Sequence, residues 1–167
     1  MTKKILRIVT YSVLGLFVVI QFIPSEIPPV QMDNPNDIIK NGAVDAQIGD
    51  ILKSSCYDCH SNETHYPWYS YVAPVSWLVI HDVEEGRDEL NFSEWASFTK
   101  KRQSKKSNEI GEEVEEGNMP MPIYTLTHPG AKLSSENKQI LINWFSELSP
   151  EGAKEKHEDH EDEEDDD

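Results

Sequence analysis

The sequence predicts an all-α domain with long loops between short helices. Three observations lead there. Apolar residues recur at spacings of three and four, the period of one helix face. Capping residues stand just ahead of those stretches. No run of alternating β-branched residues and no internal repeat interrupts them.

Taken in chain order, Ala46, Ile48, Ile51 and Leu52 form the first stripe, with Asp45 placed to cap it, and this helix should run straight into Cys56. The segment "HYPWYSYVAP" is aromatic and broken by proline, so it reads as a loop. Pro74 suits the first position of a second helix, "PVSWLVIHDVEEG", with Gly86 as its stop. Ser93 is placed to cap a third helix from Glu94, with Trp95 and Phe98 on one face. Its continuation, "KKRQSKKSNEIGEEVEEG", is highly charged and expected to reach into solvent, returning to the core at Ile110 and Val114 and ending at Gly117. After a loop, "NMPMPIYTLTHPGAKL", Ser134 caps a last helix whose stripe is Ile140, Leu141, Trp144, Phe145 and Leu148.

At 167 residues the chain has room for one domain of ordinary size. Residues 1–24 read as an N-terminal membrane anchor: Lys3, Lys4 and Arg7 precede an apolar run from Ile8 to Ile23. That run spans about 24 Å as a helix, short for a hydrocarbon core of ~30 Å, and Ile5, Leu6 and a snorkelling Arg7 extend it. A cleaved signal peptide is the other reading, but "IQFIPSEIPP" contains no small-residue cleavage site. The basic flank keeps its side cytoplasmic, so the domain faces outward. Residues 25–39, rich in Pro, Asn and Asp, read as a linker, and 40–149 as the folded domain. Residues 150–167 read as a disordered tail, whose "HEDHEDEEDDD" holds nine of the sixteen net negative charges. A chain this acidic is a poor partner for nucleic acid.

Both cysteines of the chain fall in "SCYDCHS", with two residues between them and a histidine directly after. A redox dithiol is expected at a helix start after a strand, and here the pair follows a helix in a chain without strands. A structural zinc site needs four ligands; Cys56, Cys59, His60 and His65 supply the number, but adjacent Cys59 and His60 reach one tetrahedral ion awkwardly. The pattern Cys-x-x-Cys-His fits covalent attachment of one haem, whose two vinyl groups take the thiols while the next histidine reaches the iron. Such attachment occurs outside the cytoplasm, in agreement with the outward-facing domain. For the sixth iron position, Met119 and Met121 stand on the proline-stiffened "GNMPMP". Met119 is favoured as the ligand and Met121 as core filler. His81 is a further candidate, though a helix-surface role suits it better, and His65 and His128 are weaker. Trp68, Tyr69, Tyr71 and Trp77 are candidates to wall the haem, and Arg87 to pair with a propionate or with a surface carboxylate.

The order of helix, Cys-x-x-Cys-His, middle region, Met-Pro loop and C-terminal helix resembles a class I cytochrome c. In that family the methionine before the first proline of the loop is the distal ligand, which maps onto Met119. The chain is more similar still to a bacterial single-haem family, the haem-binding domain, over nearly all of residues 40–148. The similar stretches are "CYDCHSNETHYPWYSYVAPVSWLVIHDVEEGRDELNFSEW" and "GNMPMPIYTLTHPGAKLS". The resemblance implies a cytochrome c-like helical domain around one covalent haem c, and single-electron transfer.

The expectation is thus a monohaem c-type cytochrome, an electron carrier and not an enzyme, anchored in a bacterial inner membrane with its domain in the periplasm. Cys56 and Cys59 hold the porphyrin, and His60 and Met119 bind the iron. Its partners are redox proteins in or near the membrane, and no small-molecule substrate is evident. The alternative is a haem-based sensor or small peroxidase with an open or displaceable sixth ligand.

Overall fold

A computed structural model describes residues 2–42 and 44–149. Among them are eight α-helices, three 3-10 turns and no strand. The helices are α1 (Thr2–Ile20), α2 (Ile38–Asn41), α3 (Ala46–Ser55), α4 (Tyr57–His60), α5 (Val75–Glu89), α6 (Lys100–Glu116), α7 (Pro122–Thr127) and α8 (Ser135–Leu148). The 3-10 turns are Trp68–Tyr71, Phe92–Ser97 and Pro129–Ala131. The acidic tail expected over 150–167, with His157 and His160, lies outside the described residues.

Local chemistry sets the helix ends. The Asp45 carboxylate accepts the Ile48 N–H at 2.9 Å, and Ser134 Oγ accepts that of Asn137 at 3.0 Å, both as expected. Gly117, at φ 81°, closes α6 in the left-handed region, and its N–H reaches the carbonyls of Glu113 and Val114. Three expectations change. The second helix does not stop at Gly86 but continues to Glu89. Ser93 lies inside a 3-10 turn capped by Asn91, and the long helix begins afterwards under a Thr99 cap. The charged segment after it is not splayed into solvent: it is α6, which packs along α8 and buries Ser107 and Val114. The Met-Pro loop holds a short helix, α7, started by Pro122 at its first turn.

The core gathers around Phe92, which is 1% exposed. Its ring stacks on Tyr57 (centroids 5.8 Å apart) and on Phe145 (6.4 Å), and meets His60 edge-on at 6.4 Å. Leu52 from α3 and Leu141 and Phe145 from α8 complete the same cluster and are fully buried. Burial of each such side chain stabilises the fold by roughly 1.5–3 kcal/mol. The motif-bearing α4 is therefore bolted to the core through Tyr57 rather than carried on a loose loop.

The linker expected over 25–39 is not a free stalk. Pro28, Asn34, Asp37 and Ile38 are buried. Asn34 joins the side chains of Asn62 and Glu63, and the buried Asp37 caps α2 while accepting the Tyr57 hydroxyl at 3.0 Å. Amide side chains can both donate and accept, so this polar network seals the segment against the domain without an unpaired group.

The N-terminal segment forms α1. No helix among the described residues is long and apolar enough to cross a membrane. α1 carries Lys3, Lys4 and Arg7 in its first two turns. The uncharged part, 8–20, spans about 20 Å against a hydrocarbon core of ~30 Å.

Candidate functional site

α3 ends at Ser55, and the chain turns at Cys56 into α4, whose last residue is His60. This break brings both thiols and the imidazole to one wall of a cavity of about 510 Å³. That volume is typical of small-molecule and cofactor pockets, roughly 300–1,000 Å³. Met119, Pro120 and Met121 line the same cavity, as do Leu90, Phe92 and Tyr124.

His60 is oriented by the end of α5. Its Nδ1 lies 2.8 Å from the Gly86 carbonyl oxygen and 3.1 Å from that of Leu90. A carbonyl can only accept, so the proton resides on Nδ1 and the Nε2 lone pair is free for a metal. Burial holds the imidazole below its ordinary pKa of 6.5, outweighing the two carbonyl bonds that favour the charged form. The ring is thus kept neutral, the form that ligates iron.

Gly86 makes this approach possible. A Cβ added there would sit 2.8 Å from the Cys59 carbonyl oxygen and 3.2 Å from the Cys59 Cβ. The residue expected to stop the helix is instead the point where α5 lies directly against α4.

The cysteines are free thiols. Burial first, and then the neighbouring Cys59, push Cys56 up to about 12. Burial, with Asp58 and Asp82 nearby, raises Cys59 to about 11. Neither is armed as a thiolate, which argues against a redox dithiol. Among the described residues there is no cluster of three or more His, Cys, Asp or Glu that could hold a metal ion, so Cys56, Cys59, His60 and His65 do not converge as a zinc site.

The methionines are held by backbone geometry. Gly117 turns the chain out of α6, and the N–H groups of Asn118 and Met119 both donate to the Glu113 carbonyl at 3.0 and 3.1 Å. Met119 is therefore fixed two residues beyond the Gly117 helix cap, half-buried at the cavity wall. Met121 caps α7 and lines both this cavity and a second one of about 370 Å³.

The other candidates resolve differently. His81 is exposed and pairs with Glu85 at 3.3 Å, outside both cavities. His65 and His128 line only the second cavity. His128 Nε2 accepts from the Tyr69 hydroxyl at 2.8 Å, and its ring stacks on Tyr124 at 4.2 Å. None of Trp68, Tyr69, Tyr71 or Trp77 walls the first cavity; Trp68 and Tyr71 are exposed, and Tyr69 lines the second. Arg87 is not among the residues lining the first cavity, and it forms no ion pair with a carboxylate among the described residues. It donates to Ser61 O, Pro29 O and Thr64 Oγ1, tying the loop after the motif to the linker.

Sequence reasoning passed over Asp58 and Tyr124. The Tyr124 hydroxyl donates to Asp58 Oδ2 at 2.7 Å, joining α7 to α4 across the cavity. Burial and that carboxylate raise the phenol's pKa, so it stays a donor. The cavity's charge is one-sided: Asp58, Asp82, Glu85, Glu89, Glu109 and Glu113 line it, and Lys106 is the only Lys or Arg among its lining residues.

A porphyrin iron fits these groups. The cavity is apolar at its back, holds an imidazole with a free Nε2, and carries two thiols and a thioether. No curated protein and no solved structure matches the chain. The family described as the haem-binding domain matches residues 15–147, including the end of α1 and the whole linker. With most of its length matched, the chain belongs to the haem-binding domain family.

Proposed function

We propose that this protein is a membrane-held monohaem c-type cytochrome that passes single electrons outside the cytoplasm. The observation that carries the reading is the His60 imidazole, with Nδ1–H bound to the carbonyls of Gly86 and Leu90 and Nε2 left on a cavity wall shared with Cys56, Cys59 and Met119.

Cys56 and Cys59 would hold the haem through their sulfurs, each thiol supplying S and H to one vinyl double bond, so that no leaving group is needed. Burial keeps both as neutral thiols. His60 Nε2 and the Met119 sulfur would hold the iron. When bound, haem supplies the ferric/ferrous couple; thioether ligation raises its potential and suits electron transfer. Leu90, Phe92, Ile110 and Val114 shield the ring from water. The carboxylates at the cavity favour a partner with a cationic docking face, an attraction that salt weakens.

Membrane attachment is assigned to α1. From Ile5 to Val19 its large apolar side chains are exposed, and Phe22 and Ile23 continue the apolar surface past its end. Lys3, Lys4 and Arg7 snorkel to the cytoplasmic face.

Optical spectra of the ferric and ferrous protein, recorded beside Met119→Ala, test the axial assignment. A low-spin spectrum with a weak far-red sulfur–iron band, lost in the variant, is expected. A spectrum untouched by the substitution removes Met119 from the iron.

A further inference from the structure

The end of α1 is clamped to the domain at one point. The Gln21 side-chain amide donates to the Ala73 carbonyl at 3.0 Å and accepts the Ala73 N–H at 3.0 Å. Two antiparallel hydrogen bonds from one planar amide set both position and orientation. Whatever apolar phase receives α1 must therefore lie beside Ala73.

The surface around Ala73 is unusual for this chain. Residues 66–80, "YPWYSYVAPVSWLVI", contain no charged side chain, in a protein where 28% of residues are charged. Four of them are large, apolar or aromatic, and turned outward: Trp68 is 77% exposed, Tyr71 64%, and Val75 and Leu78 45% each. Val75 and Leu78 are one helical step of three apart and share a face of α5. Across the second cavity, which both line, Ile123 of α7 is also exposed. Exposed apolar and aromatic side chains concentrated in one uncharged stretch mark a contact with lipid or protein. Two exposed amphipathic aromatics beside the end of an apolar helix match the headgroup layer, where Trp and Tyr concentrate.

We propose that the face carrying Trp68, Tyr71, Val75 and Leu78 lies in the headgroup layer of a phospholipid bilayer, oriented by the Gln21–Ala73 clamp. The absence of charge matters here, because a chain of net charge −16 is otherwise repelled by anionic lipid. The second cavity, lined by Val75, Leu78 and Ile123, also holds Asp58 and Asp82, so the uncharged surface is that of residues 66–80 and not of the cavity. The inference rests on α1 being the membrane attachment.

Hydroxyl-radical footprinting of the full haem-loaded chain tests it. The chain is compared in phosphatidylcholine nanodiscs, one copy per disc, and in an amphipathic polymer that wraps α1 but offers no lipid plane. Oxidation of Trp68 and Tyr71 should fall several-fold in the discs, while Trp144 on α8 is unchanged. Equal oxidation of Trp68 and Tyr71 in both, with Tyr11 and Phe17 of α1 protected in the discs, overturns the docked face and leaves the attachment standing. Failure of the chain to enter the discs removes the attachment, and the proposal with it.

Discussion

His60 and Gly86 are joined twice over. The Gly86 carbonyl accepts the His60 Nδ1–H at 2.8 Å, and the bare Gly86 Cα lets α5 approach until a Cβ would be 2.8 Å from the carbonyl oxygen of Cys59, the residue before His60. One residue thus aims the imidazole and makes room for the backbone that carries it.

Gly86→Ala separates those effects. Alanine favours a helix over glycine by about 1 kcal/mol. The clash is with backbone, which cannot swing away, and overpacking of this kind costs about 1–3 kcal/mol. We expect net destabilisation in thermal unfolding, together with a lower yield of haem-loaded protein.

Met121→Ala should leave the axial field intact if Met119 is the ligand, so the far-red band should persist. The loop keeps its Met119 N–H bond to Glu113 in that variant. Loss of the band in Met121→Ala, with its retention in Met119→Ala, would exchange the two roles.

Asp37 ties the motif to the start of the domain. Asp37→Ala removes an N-cap, costing about 1 kcal/mol. It also orphans the buried Tyr57 hydroxyl, costing about 1–3 kcal/mol. Urea denaturation should register a loss of about 2–4 kcal/mol, whereas Tyr57→Phe, which leaves the cap bonds in place, should cost less.

The Lys106–Glu109 pair, 2.8 Å apart, gives a pH signature. Burial raises the Glu109 pKa, but the bond to Lys106 and its charge outweigh this and hold it below the ordinary 4.5. The same bond holds Lys106 above the ordinary 10.5. The pair's contribution is full between 4.5 and 10.5. It fades as pH falls through the lowered Glu109 value, and again as pH rises through the raised Lys106 value. Lys106→Gln should therefore destabilise the protein slightly at neutral pH, by under about 1 kcal/mol for so solvent-screened a pair. The difference from the parent should vanish in strong acid, as read from unfolding curves at several pH values.

Much of the fold was legible because its signals are local. Asp45 and Ser134 cap where their side chains dictate, Gly117 ends α6 because only glycine sits easily at that φ, and the α8 stripe buries Leu141 and Phe145. The expectation failed where a residue has two uses. Glycine at position 86 stops helices in general but serves here as a contact between helices. Trp68 and Tyr71 looked like a cofactor wall because aromatic residues usually seek burial, and their outward placement is visible only in the folded chain. Arg87 had carboxylates in plenty nearby in sequence, yet its three bonds go to oxygens of the linker and the loop after the motif.

By itself the sequence determined the helical class, the caps, and the pairing of two thiols with a following histidine, since these depend on residues within a turn or two of one another. The tertiary structure alone decided which nitrogen of His60 is free, that Met119 and Met121 border its cavity while His81 does not, and that the linker belongs to the domain. Those depend on groups far apart in the chain, such as His60 with Gly86 and Gln21 with Ala73, whose meeting is set by packing around Phe92 and by the bonds that seal the surface.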